Sequence, residues 1–200
     1  NSDFSNLYRN INNPFWGTVG SLPIENIDFK NVTHLTFASS FNQSIEKVDF
    51  KNVSHLTFGS DFNKLINNAN FKNVTHLTFG NFSKFNQPID NVDFKKITHL
   101  IFGEYSKFNQ PLNNVNFKNI AHLTFGYYFN QPIYNLNFQN VTHLTFGYFF
   151  NHPIQNSDFK NVTHLTFGFH FNQSIDNIDF KNVTHLTFGK NFNQPIENVN

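Results

Sequence analysis

Eight histidines, His34, His55, His76, His99, His122, His143, His164 and His185, each stand before an aliphatic leucine, at steps of 21, 21, 23, 23, 21, 21 and 21 residues. Imidazole ligates transition metals and titrates near neutral pH, so such a series could bind a metal or sense acid. A metal centre needs ligands that converge on one point with an oriented outer shell. One histidine per repeat gives a row instead. The series is therefore read as an exposed ladder, with no metal site and no cofactor. Protonating it below about pH 6 would place like charges side by side.

The carboxylates offer no catalytic pair. Asp28, Asp49, Asp93, Asp158 and Asp179 form one column, with Lys30, Lys51, Lys95, Lys160 and Lys181 two positions on. That alternation reads as a solvated face. The chain carries no Gly-rich phosphate loop, nucleophile elbow or His-Glu-x-x-His motif, and the expected protein is not an enzyme. Asn-Val-Thr and Asn-Val-Ser strings make Asn31, Asn52, Asn73, Asn140, Asn161 and Asn182 candidate N-glycosylation sites, although repetition copies one accident many times. The bland reading is a corner asparagine in a cytosolic protein. A separate column, Asn42 to Asn193, is expected to be buried and to bond backbone groups at a corner.

Specificity in a repeat array should lie where the copies differ. The most variable positions follow each Thr-Phe-Gly string, and three consecutive copies place aromatic or histidine pairs there: Tyr127-Tyr128, Tyr148-Phe149 and Phe169-His170. These six are the candidate partner-binding residues, with Tyr134 and His152 as candidate neighbours. Exposed contiguous aromatics favour binding; the alternative is added stacking at a corner.

The elements that must position these residues follow from the repeat. Residues 25–200 read as eight units of 21–23 residues, and residues 1–24, with the single Trp16, read as a diverged capping copy. The two longer units carry extra residues at Asn81-Phe82-Ser83-Lys84 and Glu104-Tyr105-Ser106-Lys107. His-Leu-Thr-Phe alternates polar and apolar, the period of a half-buried strand. Ile-Asp-Phe repeats that alternation more weakly and leaves room for a second short strand per coil. Asn, Pro and the lack of a 3.6-residue period argue against helix. The expectation is an all-β, right-handed solenoid with one main parallel sheet. Three phenylalanine columns, Phe29 to Phe180, Phe37 to Phe188 and Phe41 to Phe192, take 24 of the 29 Phe and fill its interior.

Phe-Asn-Gln-Pro-Ile at 85–89, 129–133 and 192–196, followed by the Thr-His-Leu-Thr-Phe-Gly strand, resembles the FNIP repeat, a family similar to leucine-rich repeats. The strings at Phe41 and Phe171 (Asn-Gln-Ser-Ile), Phe62 (Asn-Lys-Leu-Ile) and Phe150 (Asn-His-Pro-Ile) depart from it. The resemblance implies a leucine-rich-repeat-like solenoid used for protein interaction. Members often carry a separate F-box, and no F-box is visible in these residues.

Composition narrows the partners. A formal charge of +1 with 14% charged residues gives no electrostatic footprint for nucleic acid, and no run of about 18 apolar residues suits a membrane span. The lack of cysteine excludes a disulfide framework and names no compartment. The expected role is a scaffold that binds a protein, most simply in the cytoplasm. The rival is a structural segment of an extracellular or virion-surface fibre. The chain has no Met and stops in mid-repeat at Asn198-Val199-Asn200, as expected of a piece of a longer chain. An uncapped final coil would also permit self-association.

Overall fold

The structure, a computed structural model, describes residues 24–134, 136–155, 157 and 159–197. The expected cap with Trp16, and Asp158 of the acidic column, lie outside the described residues, Ile24 excepted. Each His-Leu-Thr-Phe string, His-Leu-Ile-Phe in the fourth copy, forms a short strand: β1 His34–Thr36, β2 His55–Phe58, β3 His76–Phe79, β4 His99–Phe102, β5 His122–Thr124, β6 His143–Thr145, β7 His164–Thr166 and β8 His185–Thr187. They lie in one sheet in chain order, all parallel. Histidine pairs with histidine and leucine with leucine throughout, and Ile101 takes the Thr78 and Thr124 partner position. Leu35 to Leu165 point inward and are buried, as the alternation requires.

The rest of each coil is built from turns. In the seventh coil Val162 N donates to Phe159 O at 2.9 Å, Phe171 N to Gly168 O at 3.3 Å and Ile178 N to Ile175 O at 3.3 Å. The second short strand is not formed among the described residues. Its amide groups are spent locally: Val48 N donates to Ile45 O, Val53 N to Phe50 O, and Lys51 N to the Asp49 carboxylate at 3.0 Å. An Asx turn of this kind competes with ladder pairing, and it recurs at Asp28, Asn70, Asp93, Asn116, Asn137 and Asp179. Helix is confined to one 3₁₀ turn, Ile24–Asn26, among the described residues.

All three phenylalanine columns lie inside, becoming partly exposed only at Phe188 and Phe192. The second and third columns stack within each coil, for example Phe125 on Phe129 at 3.9 Å, and between coils, Phe125 on Phe146 at 5.8 Å. Each buried ring contributes about 2–3 kcal/mol of transfer energy, which one coil alone could not realise because its rings would have solvent on both sides. The corner after each strand is equally tight. A Cβ on Gly147 would sit 1.8 Å from Gly126 O, so the close approach of backbones requires glycine there.

The asparagine column does what the sequence predicts, but not where. Asn42, Asn63, Asn86, Asn109, Asn130, Asn151 and Asn172 each accept, at Oδ1, the backbone N–H of the next asparagine at 2.8–3.0 Å. Yet they are exposed or half-buried, not buried. The ladder lies on the outer edge, where glutamines close it: Gln131 Nε2 donates to Asn109 O and Oδ1.

A candidate binding surface of stacked aromatic rings

The histidine ladder forms as a row. Neighbouring rings from His34 to His185 stack with centroids 4.0–4.2 Å apart and planes 7–16° from parallel. The rings shield one another, so the row is exposed only at His34 and His185 and half-buried between them. Behind six of the rings a hydroxyl fixes the tautomer. Thr142 Oγ1 donates to Ala121 O at 3.2 Å and so must accept from His143 Nδ1–H at 2.9 Å; Ser54, Thr75, Thr98, Thr163 and Thr184 do the same. His122 follows Ala121 and lacks this bond. Burial first, then repulsion from other rings of the row, lowers the pKa of His55, His76, His99, His122, His143 and His164, to about 4 at His99. Among the described residues no group of three or more metal-ligating side chains is placed to hold an ion.

The sequon asparagines line another exposed edge. The Nδ2 atoms of Asn52 and Asn73 donate to Lys30 O and Lys51 O, and those of Asn140, Asn161 and Asn182 to Lys118 O, Gln139 O and Lys160 O. The nitrogen that would carry a sugar is thus engaged with the preceding coil. Asn31 is exposed.

The six candidate aromatic positions come together in two columns. Tyr127, Tyr148 and Phe169 stack at 4.4 and 4.8 Å with planes within 12°. Beside them Tyr128, Phe149 and His170 follow one another at 5.8 and 5.2 Å. The columns meet edge to face, with Tyr148 and Phe149 at 82° and Tyr148 and His170 at 80°. Tyr128 and Phe149 are exposed, the other four half-buried. His152 instead bonds Asn130 O, and Tyr134, though exposed, lies outside both columns.

Two residues of this surface escaped the sequence reading. Phe82 and Tyr105 continue the first column, Phe82 to Tyr105 at 4.9 Å and Tyr105 to Tyr127 at 5.0 Å. Both belong to the two-residue insertions, and both have φ of 57°. Left-handed backbone is costly for a bulky side chain, of order 1–3 kcal/mol. The loops are braced to hold it. Phe82 N donates to Glu104 O at 2.8 Å, Glu104 N to Asn81 Oδ1 at 3.0 Å, and the buried hydroxyls of Ser83 and Ser106 accept from Phe85 N and Phe108 N. Phe82 is nevertheless 65% exposed and Tyr105 38%. The signal available in sequence was an aromatic residue in the same place of both insertions.

One parallel sheet, short strands and turn-built returns define this chain as a leucine-rich-repeat-like solenoid. It belongs to the family described as "Mycoplasma protein of unknown function, DUF285", whose pattern matches in overlapping windows over residues 3–98, 34–128, 55–152 and 101–200, as a repeat array would. It is similar to a solved structure described as "The crystal structure of CroV588 a novel circular LRR protein structure", with a TM-score of 0.66 and 40% identity over 84% of this chain and 29% of that one. The chain thus spans less than a third of that protein. No curated protein matches. Among the described residues no helix is long and apolar enough to cross a membrane.

Proposed function

We propose that this chain is a non-enzymatic scaffold that binds another protein through the paired aromatic columns. The observation that carries the reading is the stacked, solvent-facing ring series from Phe82 to Phe169, flanked by Tyr128, Phe149 and His170. Unlike the histidine, leucine and phenylalanine ladders, the first column occupies only five consecutive coils, and two of these reach it through strained insertions. Stability alone gives no reason to add exposed rings in left-handed backbone. The likeness of the Phe-Asn-Gln-Pro-Ile strings to FNIP repeats, and the leucine-rich-repeat-like fold, support the same role. Affinity capture with the wild type beside Tyr127→Ala/Tyr148→Ala/Phe169→Ala tests it. A protein retained by the wild type and lost by the folded variant is expected; identical capture by both would end the proposal.

A further inference from the structure

Given the proposed binding role, on which this inference rests, the dimensions of the surface select the chemistry of the partner. Four steps between coils at the strand spacing make the first column about 20 Å long. The cross-column centroids lie 5.0–5.2 Å apart. A strip of about 20 by 10 Å offers a few hundred Å² at most, well below the roughly 800 Å² each partner gives to a stable interface. It is too small to hold a second copy of this chain or a folded domain by itself, and it suits one linear segment.

Its repeat selects the conformation of that segment. Like rings recur every coil, so two coils advance about 9.6 Å. A polyproline II helix rises about 3.1 Å per residue with three residues per turn, and so repeats every 9.3 Å or so, in near register over the whole strip. An extended strand repeats its facing side chains every 6.6–6.8 Å or so and an α-helix turns every 5.4 Å or so, and both fall out of step. Polyproline II carbonyls have no internal partner, and the strip supplies phenol donors at Tyr105, Tyr128 and the Tyr127–Tyr148 pair, whose hydroxyls share one hydrogen bond and leave one proton free. Desolvation by neighbouring rings, the nearby tyrosines and the hydrogen bond with Tyr148 push the Tyr127 phenol above its usual range. Charge around the strip nearly cancels: Lys84 pairs with Asp61 at 2.8 Å, Glu104 and Lys107 share one loop, and Lys190 follows Phe169 at the end of the first column. A neutral partner is favoured over an acidic or phosphorylated one.

We infer that the aromatic strip docks a proline-rich segment of a partner protein, bound as a polyproline II helix parallel to the solenoid axis. The probe is fluorescein-labelled decaproline, titrated by anisotropy against the whole chain, with a Gly-Ser peptide of equal length as comparator. Saturable binding of decaproline alone is expected, about ten-fold weaker with Tyr127→Ala/Tyr148→Ala. Tyr127→Phe/Tyr148→Phe, which keeps the stack and removes the hydroxyl pair, should weaken it less. Thermal unfolding of each variant confirms the fold. Absent decaproline binding, or binding unchanged in the alanine variant, overturns the inference. A random peptide library selected on the wild type and counter-selected on the alanine variant separates the two levels. Proline-rich peptides support the inference; strip-dependent peptides without proline refute it and leave the binding surface standing; no strip-dependent peptide refutes both.

Discussion

Two sets of stacked rings run along this molecule, one inside and one outside. The inner columns, such as Phe102-Phe125-Phe146, recur in every described coil and are buried in all but the last, where Phe188 and Phe192 are partly exposed. The outer column, Phe82-Tyr105-Tyr127-Tyr148-Phe169, has similar spacing but occupies five coils and faces solvent. Stacking geometry alone therefore does not distinguish architecture from recognition. What does is the relation to the repeat. The inner rings are the repeat itself, whereas the outer ones are departures from it, two of them held in strained backbone.

The largest effects should come from the inner set. Phe125→Ala leaves a cavity between Phe102, Phe129 and Phe146 and is expected to cost about 3–5 kcal/mol in denaturant unfolding. Gly147→Ala strikes the backbone of the preceding coil rather than a side chain, and about 1–3 kcal/mol is expected from overpacking; an unchanged midpoint would show that the corner can spread. Asn109→Ala removes the acceptor of Asn130 N and Gln131 Nε2, costing about 1 kcal/mol because its edge is wet.

The histidine row lies between the two sets, repeated like the core but half-exposed. The folded pKa values of His55, His76, His99, His122, His143 and His164 are lowered, so the unfolded chain takes up protons first. Stability is therefore full above about pH 6.5, the unfolded value, and falls as pH drops through the window down to the folded values, about 4 at His99. Thermal midpoints at pH 8 and pH 5 should differ in that order, and equal midpoints would show that the stacked rings do not resist protonation.

Much of this was legible in sequence because stacking converts a period into a place. The spacing of histidines located the strands, and the phenylalanine columns located the core. What was not legible depends on hydrogen-bond competition or broken register. Ile-Asp-Phe alternates like a strand, but the Asp49 and Asp179 carboxylates capture the amides a second sheet would need. The Asn42 column faces outward because its partners are backbone groups on the rim. Phe82 and Tyr105 sit in insertions, so counting by repeat places Ser83 and Ser106 in their column. Only the left-handed turn carries the rings back over Tyr127.

If the outer rings are not there for stability, their removal should cost little. Equilibrium unfolding of Tyr127→Ala/Tyr148→Ala beside the wild type measures that cost. A loss of no more than about 1 kcal/mol is expected, as for surface positions. A loss of 3 kcal/mol or so, matching a core phenylalanine, would make the outer column a second core and contradict it.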